Sequence, residues 1–277
     1  MNPSKYIKGL VEQDGIWCPE KTSVVSYPDD GNETLNEFEE GSFWFNHRND
    51  CITAAVKKFY QGELFFDIGG GNGFVASAIQ KNAHLVVLIE PGKQGCLNAK
   101  NRGIDTVIHA SLDNLSFENE SVPSIGIFDV VEHIENDTGF LQQLSFAMEK
   151  NGYLFITVPA HRFLWSEADV KAGHFHRYTL REINKKLKSA GFRTVYSTYF
   201  FSVLPPAILL FRILRRKLKK KKTAGGPLTR LPAHEKRKGL TGKILNNIWK
   251  TESAAIRKGK KIPFGSSCLI VAQKNCG

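Results

Sequence analysis

Through the middle of the chain, short apolar runs of strand length alternate with stretches of helical periodicity. The strand candidates are Leu64 to Asp67, Leu85 to Glu90, Thr106 to His109, Ile125 to Asp129, Tyr153 to Val158, Phe192 to Thr198 and Cys268 to Ala272. Between them lie helix candidates near Phe74 to Lys81, Gln94 to Arg102, Asp137 to Lys150 and Thr179 to Ala190. The last carries an apolar stripe of Leu180, Ile183 and Leu187, opens on a capping box of Thr179 and Glu182, and stops at Gly191. Upstream, the pattern is helical from Glu37 to Tyr60: Ile52, Ala55, Val56 and Phe59 recur at helical spacing, and Phe43, Trp44 and Phe45 begin the helix. Residues 1–36 mix Pro, Gly, Asp and Asn with few periodic apolar positions, and read as an irregular lead-in.

Strands alternating with helices imply an α/β fold with a mostly parallel sheet covered by helices on both faces. Such a sheet binds ligands beyond the carboxyl ends of its strands. Chemistry is therefore expected just after Asp67, Glu90, His109, Asp129 and Val158. The pattern divides the chain into a lead-in and helix (1–60), a core (61–200), a basic amphipathic insertion or arm (201–262) and a final core strand (263–277).

Composition sharpens this picture at one place. The chain has 277 residues, 42% hydrophobic and 23% charged, as expected of a globular molecule, with a formal net charge of +11. The excess is local: Arg212 to Lys261 holds 18 basic and only two acidic residues, while the remainder is mildly acidic. A basic arm on an acidic body points to an anionic partner such as phospholipid, phosphorylated substrate or nucleic acid. After Pro205 and Pro206, the apolar Ala207 to Phe211, Ile213, Leu214 and Leu218 are joined by Arg212, Arg215 to Lys217 and Lys219 to Lys222. A helix over 207–222 is too short to span a bilayer, but it suits the interface of an anionic membrane surface. The five cysteines are odd in number and contain no C-x-x-C pair, which fits a reducing compartment. The first residues lack the apolar stretch of a secretory signal. A cytoplasmic location is expected, with peripheral docking on the inner face of the membrane.

The segment from Asp67 to Phe74 runs from an apolar strand into a helix with glycines at 69, 71 and 73, a D-x-G-x-G-x-G pattern. A dinucleotide fingerprint would place glycine at 74, where this chain has Phe. Glu90 ends the next strand, where a carboxylate accepts from both hydroxyls of a ribose. These residues resemble the class I S-adenosyl-L-methionine (SAM)-dependent methyltransferases, over roughly Leu64 to Tyr199 plus the final strand. The resemblance implies a Rossmann-like seven-stranded sheet whose last strand is antiparallel. It also implies SAM lying over Asp67, Gly69, Gly71 and Gly73, with Glu90 on the ribose, Ser111 and Leu112 near the adenine, and Asp129 beyond the fourth core strand. Phe128 to Ile134 looks like the family's D-V-x-E-H segment.

Further segments, Ser42 to Phe45 with His47 to Asn49, Val158 to His161, Leu164 to Ser166 and Gly173 to Thr179, look like an uncharacterised bacterial subgroup that accompanies polysaccharide or lipid-linked pathways. The resemblance implies a small-molecule or lipid-linked acceptor. Trp44, Glu132, His161, Arg177 and Tyr178 are then candidates for acceptor binding. His133, His174 and His176 cluster after the fourth and fifth core strands and are candidates for proton removal, a role suited to imidazole near neutral pH. Glu167, Asp169, His174 and His176 are metal-ligating types, but their spacing matches no metal motif and no metal is expected. Nucleic acid is disfavoured: Asp129 to Glu132 is not the Pro-Pro-aromatic loop of base-amino methyltransferases, and no cysteine stands where pyrimidine-carbon enzymes keep their nucleophile. The expected activity is methyl transfer, at oxygen before carbon or nitrogen. The competing readings are a nicotinamide-dependent oxidoreductase and a non-catalytic, SAM-retaining membrane- or RNA-binding module.

Overall fold

The computed structural model describes residues 1–20, 39, 41–82, 84–206, 208 and 240–276. The interfacial helix expected over 207–222 lies outside the described residues, apart from Ile208.

The strands are β1 (Ile7–Lys8), β2 (Leu10–Gln13), β3 (Ile16–Pro19), β4 (Leu64–Ile68), β5 (Leu85–Glu90), β6 (Thr106–His109), β7 (Ser116–Phe117), β8 (Val122–Phe128), β9 (Met148–Pro159), β10 (Phe192–Phe200) and β11 (Ser267–Lys274). The helices are α1 (Phe43–Phe59), α2 (Phe74–Gln80), α3 (Lys93–Asn101), α4 (Asp137–Ala147), α5 (Glu167–Lys171), α6 (Leu180–Ser189) and α7 (Leu240–Arg257). The main sheet has nine strands in the order β10-β11-β9-β8-β4-β5-β6-β3-β2. Strands β4, β5, β6, β8 and β9 pair in parallel, and β11 runs antiparallel between β9 and β10. The seven expected strands are thus the core of the sheet.

The two additional strands correct the irregular lead-in. β2 and β3 form a hairpin whose turn is Asp14 (φ 52°) and Gly15 (φ 77°), the paired positive φ that a tight hairpin turn demands. β3 then pairs in parallel with β6 through Trp17 and Ile108. The sheet edge that β6 would present to water is covered by the chain's own N-terminus.

Strand residues alternate between two cores. On one face, Phe66, Val87, Ile127, Ile156 and Ile270 pack with Leu141 and Leu144 of α4 and Ile183 and Leu187 of α6. On the other, Phe65, Leu88, Phe155, Leu269 and Val271 pack with Ile52 and Val56 of α1, Ile79 of α2, Cys96 of α3, and Trp249 and Ile256 of α7. Each fully buried residue of this size contributes about 1.5–3 kcal/mol of transfer free energy. Both faces of the sheet are dry, which is why its strands read as continuous apolar runs.

α7 falls within the stretch read as a basic arm and belongs to the second core. Its buried Glu252 accepts from His47 Nε2 of α1 at 2.8 Å and from the backbone N–H groups of Phe201 and Ser202 at 2.9 and 2.8 Å. His47 also stacks on Trp249, 4.8 Å between ring centres. One carboxylate therefore fastens α7, α1 and the end of β10 together.

Candidate active site

The carboxyl ends of β4, β5, β6, β8 and β9 gather the expected residues at one edge of the sheet. Between β4 and α2, Gly69 has φ 71°, and a Cβ there would stand 2.6 Å from Val130 Cγ2, so only glycine lets this loop approach the β8 end. Gly71 has φ 53°, and nothing lies within 4 Å of where its Cβ would be. The loop is thus closed on one side and leaves open space above Gly71. Gly73 begins α2 in the left-handed region.

Glu90 is 4% exposed and accepts from the Gly71 N–H through Oε2 and the Gly92 N–H through Oε1, both at 2.9 Å. It sets the shape of the glycine loop as well as offering carboxylate lone pairs beside it. Asp67 is buried, and its Oδ2 has no hydrogen-bond partner. Burial, reinforced by the Glu90 charge and opposed by Arg48, pushes its carboxyl up to about 7. Ser111 caps the short turn Leu112–Asn114 after β6 without a side-chain hydrogen bond, and Leu112 is buried in the first core. Asn72, next to the open position, donates to Glu39 Oε1 at 3.3 Å and accepts from Asn98 Nδ2 at 2.9 Å. Arg102 joins Glu39 at 2.8 Å and lies over the Phe74 ring. Glu39 thereby links Asn72 of the glycine loop to Arg102.

Beyond β8, Asp129 has φ 58°, a conformation that costs a non-glycine residue of order 1 kcal/mol and is held by its partners. Arg48 Nε donates to Asp129 Oδ2 at 2.5 Å and Arg48 Nη2 to the Phe128 carbonyl at 2.9 Å. Thr157 Oγ1 donates to Asp129 Oδ1 at 3.0 Å. Arg48, which holds Asp129 and the Phe128 carbonyl, is the side chain at this edge to which the residue pattern gave no role.

The next turn carries Glu132, 1% exposed with Oε2 unpartnered. Burial raises its carboxyl well above the usual range, and the Asp129 charge adds to this. The Glu132 carbonyl accepts from the Phe175 N–H at 2.7 Å, which draws the 173–176 loop onto the β8 end. His133 and His174 meet edge to face with ring centres 4.7 Å apart. Burial, with the His174 charge adding, lowers the His133 pKa, so its imidazole is neutral at pH 7. His174 Nδ1 lies 3.0 Å from Asp169 Oδ1, and Asp169 is gripped by Arg177 through Nε at 2.7 Å and Nη2 at 3.2 Å. Arg177 is thereby fixed beside His174.

The set Glu167, Asp169, His174 and His176 is not gathered as a group: Glu167 is exposed and Asp169 is taken by Arg177, His174 and Ser166. His161 (φ 60°) stacks among Phe163, Tyr199 and Phe264. Tyr178 is buried, its hydroxyl donating to Asp137 Oδ2 at 2.8 Å. His176 is half-buried, 5.8 Å from the Tyr178 ring, and Trp44 stacks on Phe201 at 5.2 Å.

The strand order, the antiparallel β11 and the glycine loop facing an acidic strand end define a Rossmann-like transferase of the class I methyltransferase type. A family model described as a methyltransferase domain matches residues 48–197, more than half of the chain, and the chain belongs to that family. A probable S-adenosylmethionine-dependent methyltransferase of Mycolicibacterium smegmatis is 22% identical over 63% of this chain and 68% of its own length. One from Mycobacterium tuberculosis is 22% identical over 58% of this chain and 60% of its own length. Among solved structures, phosphoethanolamine N-methyltransferase 2 of Haemonchus contortus in complex with S-adenosyl-L-methionine superposes with a TM-score of 0.56 at 19% identity, covering 91% of this chain and 61% of that one. The chain thus spans about three-fifths of the latter two proteins.

The family's cofactor is SAM, and the residues present fit it. The space above Gly71 admits a ligand against the backbone, the unpartnered Asp67 Oδ2 suits a cationic group, and Glu90 suits ribose hydroxyls. The unpartnered carboxyl of Asp67 beside the loop disfavours a pyrophosphate there.

Proposed function

We propose that this chain transfers a methyl group from SAM to an oxygen of a small or lipid-linked acceptor that enters over Glu132, His133 and His174. The observation that carries this reading is the gathering of those three side chains just past Asp129, at the same sheet edge as the glycine loop. When bound, SAM supplies an electrophilic methyl group on a sulfonium. The protein's own tasks are to hold the acceptor oxygen in line with that group, to exclude water, and to receive a proton where the nucleophile carries one. His133, His174 and His176 supply imidazole for that step, and Arg177 and Glu132 orient the acceptor. Asp67, Gly69, Gly71, Gly73, Glu90, Ser111, Leu112 and Asp129 form the cofactor side.

The lipid-linked acceptor, the cytoplasmic location and docking on an anionic surface through 207–222 rest on the basic stretch in the sequence. The exposed Phe163, Phe175 and Phe264 in the loops beside the acceptor edge support an apolar ligand. No helix among the described residues is long and apolar enough to cross a membrane. Incubating fractionated cell extract with radiolabelled SAM, followed by mass analysis of what acquires label, tests the reading. An O-methylated lipid or small molecule is expected; label confined to nucleic acid or protein refutes it.

A further inference from the structure

We infer that Glu132, His133 and His174 bind one divalent cation of the Zn²⁺ class at the acceptor edge. The inference rests on the methyltransferase reading only for what the ion does there. The donor set is two imidazoles and a carboxylate, whose ligand atoms all lie within 4.8 Å of one another. Ligand bonds of about 2.0–2.2 Å are reached from there by side-chain rotation. Nitrogen and carboxylate oxygen together suit Zn²⁺, Co²⁺ or Mn²⁺ better than Ca²⁺ or Mg²⁺, which prefer oxygen alone.

Two independent features point to an ion. First, Glu132 is 1% exposed and its Oε2 has no partner; a buried carboxyl oxygen left without a donor is costly, and a cation removes that cost. Second, the His174 imidazole is already oriented from behind: its Nδ1 lies 3.0 Å from Asp169 Oδ1, a carboxylate behind the ring of the kind that fixes the tautomer of metal-ligating histidines. Asp169 is itself held by Arg177 and Ser166, so the support extends to a second layer.

Three protein ligands leave a position open, as in catalytic rather than structural zinc sites. An acceptor hydroxyl presented there loses its proton to solvent more readily. The oxygen's electron pair then forms the new O–CH₃ bond while the S–CH₃ bond breaks, its pair remaining on sulfur, so that sulfonium becomes thioether. In the metal-loaded enzyme His133 and His174 are ligands, and the proton does not pass to them.

The test is metal binding by the full chain. Protein stripped with chelator is titrated with Zn²⁺ by calorimetry, and with Co²⁺ followed by its visible absorption, in parallel with SAM titration. One ion per chain is expected. Glu132→Gln and His174→Ala should each lose at least tenfold in Zn²⁺ affinity while SAM affinity holds, whereas Glu167→Ala, altered on the exposed face of α5, should bind the ion normally. Absence of Zn²⁺ and Co²⁺ binding in a protein that binds SAM, or binding unchanged in both variants, overturns the inference and leaves the methyltransferase reading intact. Metal binding without methyl transfer to any fraction overturns the function proposed above and leaves the ion site standing.

Discussion

Replacing Glu90 by alanine separates two tasks that one carboxylate performs. Its two oxygens accept the Gly71 and Gly92 N–H groups at 2.9 Å, and the side chain is 4% exposed. A hydrogen bond to a charged group is worth about 1.5–3 kcal/mol, so the pair sums to about 3–6 kcal/mol. Water entering the vacated space satisfies part of this, and a net loss of about 2–4 kcal/mol is expected. For a chain of this size, at about 2 °C per kcal/mol, that is a fall in Tm of roughly 4–8 °C. The same substitution frees the glycine loop and removes the ribose acceptor, so SAM affinity should drop at least tenfold, or about 1.4 kcal/mol. Differential scanning fluorimetry without ligand measures the first effect, and calorimetry with SAM the second. A variant that keeps both the wild-type Tm and the wild-type SAM affinity refutes the reasoning. A lower Tm with intact SAM affinity leaves Glu90 as a loop brace and removes it from the cofactor site.

Three further outcomes follow from buried charge. Asp67 has a folded pKa raised from the ordinary carboxylate value to about 7; its contribution to stability is present at low pH and is lost as pH rises from about 4 through 7, a change of up to roughly 4 kcal/mol. Thermal melts of ligand-free protein from pH 5 to 8 should show this fall, and Asp67→Asn should flatten it; equal slopes would exclude Asp67 as the source. Arg48→Met leaves Asp129 without its strongest partner and should cost about 2–3 kcal/mol, below the range for fully buried pairs because the Asp129 side chain is 28% exposed; urea denaturation reads it. Glu252→Ala strips partners from His47, Phe201 and Ser202 at once and should cost about 3 kcal/mol with SAM affinity little changed; a larger effect on SAM binding than on stability would contradict the bracing role.

What the sequence made legible follows from where each signal is local. β5 and β6 run over the residues their patterns predicted, because strands dry on both faces are continuous apolar runs. Thr179 and Glu182 form their capping box, with the Thr179 N–H on Glu182 Oε2 at 2.7 Å, a signal contained in four residues. The β2–β3 hairpin was within reach: Asp14-Gly15 is a turn dipeptide, but Glu12 and Gln13 beside it masked the alternation. α7 was hidden by charge. Leu245, Ile248, Trp249, Glu252 and Ile256 form one helical stripe, yet the inward carboxylate and the lysines around it made the stretch read as a basic amphipathic arm. Its partner His47 lies 205 residues away, as Asp129 lies 81 from Arg48, and pairings of that range leave no mark in local pattern. The resemblance located the motif around Arg48 but not its role. Likewise the neighbouring Glu132 and His133 were visible at once, whereas their joining to His174 depends on a backbone hydrogen bond from Phe175 to Glu132.

The electrostatics of the sheet edge tie these findings together. Asp67, Glu90 and Glu132 are all below 5% exposed, and the Asp129 charge acts on Glu132. Arg48 is the cation whose charge opposes the shifts of both Asp67 and Glu132, and its guanidinium is already spent on Asp129 and the Phe128 carbonyl. Burial holds Asp67 and Glu132 toward the neutral form in the ligand-free protein, and the opposing charge of Arg48, joined at Glu132 by Arg177, does not offset it. A cationic cofactor over the glycine loop and a divalent ion between Glu132 and the two histidines would each convert one of these suppressed carboxyls to its ionised form. Binding of a cation beside Asp67 should then release protons near neutral pH. Buried carboxyls at this edge favour cationic ligands over the pyrophosphate that a similar loop accepts in dinucleotide-binding folds.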